Sequence, residues 1–359
     1  MLSHRMARRG LSAAIRASVV SREALAQPAP LSASAFSLIS WNVNGLRATG
    51  RVKGLARLVA ERCPDLIVLQ ETKLQTHHAA PMRDALASAL PGYDVWFYSS
   101  IGRKGYAGSA ALVRRGAAVR DAVAVDHASD AEQASLCPET PSPAAPLRRV
   151  AFGLHEPASD IEGRAITLEY DHFAVVALYV PNSGAKLARL DYRTGVWDCR
   201  LAAYVEELED STGKAVIVAG DLNVAHRDED VHNFWAPHIA KQAGCTRAER
   251  ESFGAWLEAS GRVDVHRALH GDAAAQFTYW STRARGKATN KGLRLDYFVA
   301  PRSLCESGSA DCAGAGDADG QRVAVHAVDI VHDGYGGANA KGSASPSDHC
   351  PIELTLRVR

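Results

Sequence analysis

Four short segments hold side chains suited to binding a phosphate and a hard cation. Ser40-Trp41-Asn42-Val43-Asn44-Gly45-Leu46-Arg47 runs an apolar stretch into two amides, a glycine and an arginine. Extended geometry puts Asn42 and Asn44 on one side. An amide oxygen there can ligate Mg2+ and Arg47 can hold a phosphate, although Asn-Gly is also ordinary turn chemistry. Gln70-Glu71-Thr72-Lys73 closes the apolar run DLIVLQ. A carboxylate with a lysine two residues on can bind a cation beside an anionic ligand, or simply form a surface ion pair. Gly220-Asp221-Leu222-Asn223 follows AVIVA, and Asp221 and Asn223 project together. Asp221 can take a proton from water while Asn223 orients that water or meets a developing oxyanion; capping the next helix is the alternative. Ser347-Asp348-His349 precedes the last apolar run, PIELTLRV. Asp296, in Arg294-Leu295-Asp296-Tyr297, is a carboxylate suited to fixing the tautomer of His349.

Glu71, Asp221, Asp296, Asp348, Asn42, Asn44 and Asn223 are hard oxygen donors with no cysteine among them, a set that favours Mg2+ or Mn2+ over zinc. A divalent ion on a phosphate oxygen with an activated water is the apparatus of phosphodiester hydrolysis. Neither a Walker loop nor a dinucleotide-binding fingerprint is present.

Each of these segments lies at the end of an apolar run, so the elements must bring several strand ends together. Strands are expected at 36–42, 65–70, 93–98, 108–114, 165–171, 173–180, 215–220, 277–280, 294–300, 323–331 and 351–358, with helices at 52–61, 187–210 and 246–261. Consecutive strands without a crossover helix imply antiparallel pairing, hence an α/β unit with mixed sheets. Residues 121–161, containing PETPSPAAP, and 303–344, rich in Gly, Ala and Asp, read as surface loops with little capacity to form a core.

Composition limits the function classes. The 359 residues carry 41 Lys+Arg against 40 Asp+Glu, a formal charge of +1, which argues against a wholly basic DNA-coating protein. The longest apolar runs, such as FAVVALYV, are far short of the roughly 20 residues of a membrane-spanning helix. Seven scattered cysteines without a CxxC pair suggest neither a disulfide framework nor a zinc ribbon, and fit a reducing compartment. Residues 1–35 hold five arginines and one glutamate, the profile of a mitochondrial transit peptide or else of a disordered basic tail. A mitochondrial location is expected, with a nuclear pool if translation starts at Met6. The two acidic loop segments hide a further feature: 121–161 has seven acids and two basic residues, and 303–344 has six and two. Without them and the leader, the remaining body has a formal excess of six positive charges, suited to meeting phosphates.

The ordered motifs SWNVNGLRA, PDLIVLQETK, GYAGSA, YVPNSG, GDLNVAH, RLDYF and SDHCPI resemble the exonuclease III-type apurinic/apyrimidinic (AP) endonucleases of the endonuclease/exonuclease/phosphatase superfamily, from about Leu38 to Leu356. The resemblance implies a four-layer, DNase I-like α/β sandwich with two packed mixed sheets, formed by a single catalytic domain over 36–359. It implies Mg2+-dependent incision 5′ to an abasic site in double-stranded DNA, as part of base excision repair, with 3′-phosphodiesterase or 3′-exonuclease activity, by a monomer. By the same resemblance Glu71 is the main metal ligand, with Asn42, Asp348, Asp221 and Asn223 near the ion. Asp221 is the base, Asn223 orients the water, His349 held by Asp296 contacts the phosphate, and Tyr179 and Asn182 are further phosphate contacts. Arg47, Lys73, Tyr106, Arg164 and Arg189 match positions that hold the DNA backbone.

Three positions depart from the family pattern. Asn44 stands where some members carry aspartate. Ala185 stands where some carry an arginine that inserts into DNA; Arg283, in the later loop before RLDYF, could instead supply an intruding side chain. The pocket for a flipped abasic sugar is expected from Tyr279, Trp280, Leu293 and Leu295, with Leu293 in place of an aromatic seen in some members; a less bulky wall could admit 3′-blocked ends. Competing expectations are an enzyme acting mainly on 3′ DNA ends or on a non-DNA phosphate ester, and a nucleic-acid-binding protein without chemistry.

Overall fold

The computed structural model describes residues 35–115, 124–126, 146–156, 160–282, 286–306, 323–332 and 347–358. The expected leader at 1–35 therefore lies, but for Ala35, outside the described residues, as does Arg283. Strands β1 (Ala35–Asn42), β2 (Leu66–Gln70), β3 (Tyr93–Tyr98) and β4 (Ser109–Arg114) belong to one sheet. The second sheet holds β5 (Ala124–Asp126), β6 (Leu147–Phe152), β7 (Ala165–Tyr170), β8 (Phe173–Tyr179), β9 (Ala215–Asp221), β10 (Arg262–Asp264) and β11 (Asp296–Pro301). The chain then returns to the first sheet with β12 (Val323–Ile330) and β13 (Ile352–Val358). The strand orders are β12-β13-β1-β2-β4-β3 and β10-β11-β9-β8-β7-β6-β5. Each sheet mixes parallel pairs, β1 with β2 and β8 with β9, with antiparallel ones, as the runs of consecutive strands require.

Side-chain alternation sets the layers. In β8, Phe173, Val175 and Ala177 enter the core between the sheets, while Ala174, Val176 and Leu178 face the other way. That outer face is covered by helices α3 (Asp198–Thr212) and α4 (Arg247–Ala259), which contribute Leu201, Tyr204, Val205, Leu208, Phe253 and Leu257. Helices α1 (Arg51–Arg62) and α2 (Thr76–Ala89) pack Leu55, Leu58 and Leu86 against the first sheet. Helix, sheet, sheet and helix are the four layers of the expected sandwich. Because β8 is apolar on both faces it reads as a continuous hydrophobic run. Truncating one of its buried aliphatic side chains to Ala should cost about 1–4 kcal/mol.

Several elements differ from expectation. The segment 121–161 contains β5 and β6, and Leu147, Val150 and Phe152 are buried. Its Pro-rich centre masked a strand that alternates only weakly. β12 and a short helix, Arg302–Glu306, occupy parts of 303–344. Residues 277–280 form no strand: Tyr279 makes isolated bridges to Leu293 and to His349, so the backbone serves two neighbours in turn and builds no ladder. α2 has no counterpart among the expected elements, because Pro81 and two histidines obscure a helix that buries only Leu86. The helix expected at 187–210 starts at Leu190 and is interrupted by a π turn, Arg193–Trp197, whose buried Arg193 donates to Pro181 O (3.2 Å) and Asp198 Oδ1 (2.7 Å).

Candidate active site

Strand register assembles the centre. β9 lies between β8 and β11, and the ladder places Asp221 beside Tyr179 on one side and Asp296 on the other. Gly220 makes this possible: its φ is +150°, and a Cβ there would lie 1.9 Å from Leu178 O. The close approach at this glycine is to the neighbouring strand. On the first sheet β1 ends at Asn42 opposite Gln70, and Glu71 follows directly. Glu71, Asn44, Lys73 and Asn223 have φ values of 52°, 45°, 54° and 49°, left-handed conformations that cost non-glycine residues about 1–3 kcal/mol each. The chain turns sharply at each strand end and aims these side chains at one another.

Asn42 links the two sheets. Its Nδ2 donates to Glu71 Oε1 (3.1 Å) and to Asp221 Oδ2 (2.8 Å), and its Oδ1 accepts from the Asn44 amide (3.0 Å). As placed, Asn42 spaces the two carboxylates and turns its oxygen to the Asn44 amide. Tyr179 OH donates to Glu71 Oε1 (2.9 Å). Asn223 is likewise engaged at both ends, accepting from Asn182 Nδ2 (2.9 Å) and donating to Val180 O (2.9 Å), while its backbone amide donates to Asp221 Oδ1 (2.9 Å). His349 Nδ1 faces Asp296 Oδ2 at 2.8 Å, and Nε2 lies 3.8 Å from Asp221 Oδ2. Asn44 Nδ2 donates to Asp348 Oδ1 (2.9 Å).

Burial and charge set the protonation states. Burial raises the Asp221 carboxyl to about 7; the Asp296 and Glu71 charges add to this, and His349 and the Asn42 hydrogen bond oppose it. Burial works against a charged His349, yet the Asp296 and Asp221 carboxylates prevail and raise it to about 10. Burial also works to raise Glu71, but the Lys73 ammonium, 2.9 Å from Oε2, and the Asn42 hydrogen bond bring it below the ordinary glutamate value. Burial, reinforced by the Glu71 charge, pushes the Tyr179 phenol well up, so it stays protonated and donates. The result is a base near neutrality, an imidazolium next to it and an ionised carboxylate.

A hard cation fits this donor set. The Lys73 ammonium already stands in for one, bonded to Glu71 Oε2 and to Asn44 Oδ1, whose amide in turn holds Asp348. Asp221, Asp296 and His349 also offer ligand atoms within 4.8 Å of one another. A ring held as imidazolium has no lone pair for a metal, so the Glu71 and Asp348 side suits the ion better.

The sequence pattern of the endonuclease/exonuclease/phosphatase family matches residues 39–349, from β1 to His349. The chain belongs to that family. It is 34% identical to an exodeoxyribonuclease of Bacillus subtilis (strain 168), over 90% of this chain and all of the relative. It is 33% identical to the DNA repair nuclease APEX1 of Danio rerio, over 91% of this chain and 84% of that one. The crystal structure of AP endonuclease LMAP from Leishmania major superposes with a TM-score of 0.67 at 27% identity, covering 91% of this chain and 89% of that one.

Around the family's core, the expected outer residues separate into two groups. Arg47 lies exposed at the rim, with Nη1 2.8 Å from His78 Nε2. Tyr106 OH accepts from Arg164 (2.9 Å) and Arg189 (2.8 Å), and Arg189 is partly exposed. Arg164 differs from expectation: it is 1% exposed, it lies 4.5 Å from the Tyr179 ring centroid, and it donates to Glu162 (2.6 Å) and Tyr179 O (2.9 Å). It braces Tyr179 and cannot reach a phosphate as placed. Lys73 points into the centre, onto Glu71 and Asn44. Tyr279, Leu293 and Leu295 cluster as expected, and the Tyr279 ring lies 4.9 Å from that of His349. Trp280 turns instead into the core between the sheets, with Nε1 donating to Asn290 Oδ1 (3.0 Å). Phe234, from a distant loop, takes its place in the cluster.

Three supporting groups went unnoticed in the sequence. Ser347 Oγ donates to Asn42 O (2.7 Å), and Trp41 Nε1 donates to His349 O (3.1 Å), tying the two ends of the domain together. Buried Glu249 accepts from Ser183 Oγ (2.5 Å) and from the Gly244 amide (2.9 Å), holding the loops that carry Asn182 and Asn223. Thr246-x-x-Glu249 is a legible capping box, but its partner Ser183 lies 66 residues away.

Proposed function

We propose that this protein is a divalent-metal-dependent DNA-repair nuclease that hydrolyses the phosphodiester 5′ to an abasic site in duplex DNA and also processes blocked 3′ ends. The pairing of Asp221, poised near neutrality, with a His349 kept charged by Asp296 carries this reading. Asp221 takes the proton from the attacking water, and Asn223 and Asn182 fix its approach. The His349 imidazolium and the Tyr179 hydroxyl are donors for the charge that develops on the phosphate. Mg2+ or Mn2+, held by Glu71 and Asp348, would supply Lewis-acid stabilisation of a phosphate oxygen. The basic body, the rim arginines Arg47 and Arg189, and the relatives named for AP-site and exodeoxyribonuclease activity support a DNA substrate. Leu293, in place of an aromatic wall, favours room for 3′-end substrates. We assign the arginine-rich leader to mitochondrial targeting, which imaging the chain with and without residues 1–35 tests.

The test is incision of an abasic duplex and of a 3′-blocked duplex, with and without Mg2+. Asp221→Asn should retain DNA binding and lose about 100-fold or more in turnover. Wild-type cleavage that persists in a chelator, or Asp221→Asn turnover at the wild-type rate, would overturn the mechanism.

A further inference from the structure

Residues 231–248 contribute Val231, Phe234, Ala236, Ile239 and Cys245 to the apolar cluster that holds Tyr279, whose ring lies against that of His349. This stretch contains no carboxylate and carries His232, His238, Lys241 and Arg247. Its base is fixed: Val231 bridges Leu293, the His232 amide donates to Gly292 O (3.0 Å), and neighbouring Asp230 is locked to Arg294 by bonds of 2.8 and 3.0 Å. Phe234 packs into the Tyr279, Leu293 and Leu295 cluster, with the Arg250 guanidinium 4.5 Å from its ring centroid. The next residue does the opposite. Trp235 is 83% exposed and touches Phe234 only edge-on, with ring centroids 5.3 Å apart.

An indole left in water forfeits the stabilisation its large apolar area would gain by burial. Here it stands on a segment that has no carboxylate and carries Lys241 and Arg247, and it is continuous through Phe234 with the Tyr279, Leu293 and Leu295 cluster. An aromatic face on a positively charged surface is how nucleic-acid bases are held without sequence preference. We propose that Trp235 stacks on a base flanking the abasic nucleotide and so determines specificity for duplexes with a gap in the stack. A base beside an abasic site has lost its stacking neighbour, and the indole takes that neighbour's place. The inference rests on the abasic-site reading above.

The test uses the full chain with wild-type, Trp235→Ala and Trp235→Phe forms. Binding of an abasic duplex in a chelator is followed by anisotropy and by tryptophan fluorescence, and incision is followed with Mg2+. Trp235→Ala should bind the abasic duplex about tenfold more weakly and raise KM, with kcat within about twofold of wild type. An intact duplex should be far less affected. Trp235→Phe should keep most of the affinity but lose the fluorescence quench that DNA causes in the wild type. The high exposure means that thermal stability should not change, so lost binding is not lost folding. Wild-type incision with unchanged Trp235→Ala binding, or a quench that survives in Trp235→Phe, overturns the Trp235 assignment alone. A wild-type protein that incises no abasic duplex in Mg2+ or Mn2+ overturns the functional reading and this assignment with it.

Discussion

Replacing Asp296 with Asn removes one negative charge and almost no volume, so it isolates what holds the charge on His349. The rise of the ring from 6.5 to about 10 corresponds to about 5 kcal/mol in favour of the imidazolium. Burial opposes that rise, and Asp296, 2.8 Å from Nδ1, is the foremost charge supporting it. An Asn side chain can still accept from Nδ1, so ring orientation should survive while most of the stabilisation goes. The ring should then titrate at or below about 6.5, leaving about a tenth or fewer of the molecules charged at pH 7.5. In the wild type, incision should rise as Asp221 loses its proton near pH 7 and hold until His349 loses its own near pH 10. In Asp296→Asn the falling limb should move to near neutrality and the rate at pH 7.5 should drop about tenfold or more. NMR titration of the His349 ring reads the same change without turnover. A variant whose ring still titrates near 10, or whose pH profile matches the wild type, would refute the argument.

Glu71→Gln should weaken Mn2+ binding measured by calorimetry about tenfold or more, because the amide offers no charge to the ion; unchanged binding would place the metal elsewhere. Asp230→Ala should lower stability by about 3–5 kcal/mol in urea unfolding, since it leaves the buried guanidiniums of Arg294 and Arg267 without their shared partner. An unchanged midpoint would show that the pair is not anchoring β11. Burial, helped by the Arg294 charge, lowers buried His266 from 6.5 to about 4. Between those values the unfolded chain binds the proton and the folded one does not. Stability should therefore fall by up to about 3 kcal/mol as pH drops from 6.5 to 4. His266→Gln should flatten that part of the stability profile, and a slope retained in the variant would assign the effect to other groups.

The parts legible in the sequence were those whose physics is local. The double-faced run of β8 and the spacing of Leu55 and Leu58 on α1 follow from periodicity. Strand-end placement was enough to gather Asn42, Glu71, Asp221 and His349. Orientation was not legible. Nothing in an arginine's neighbours says that Arg164 is turned inward onto Tyr179, or that Lys73 faces Glu71 and not the substrate. Those choices depend on partners 15 residues or more away, or on a left-handed φ at Glu71 and Lys73 that the residue types do not announce. Trp280 was misplaced for the same reason: Tyr279 bridges two segments, so the next side chain falls on the opposite face.

β1 sits between β2 and β13, and its Trp41 bonds to a carbonyl 308 residues further on. During synthesis the first strand must therefore wait roughly 15–60 s for its last partner at ordinary elongation rates. Until Ser347 to Cys350 arrive, Asn42 has no Ser347 hydroxyl and Asp221 has no imidazolium. A ribosome-bound or C-terminally truncated chain then holds Glu71, Asp221 and Asp296 without Asp348 and His349. A protein able to cut DNA thus becomes competent only when its final strand is in place, and the order of the strands serves as its safety catch.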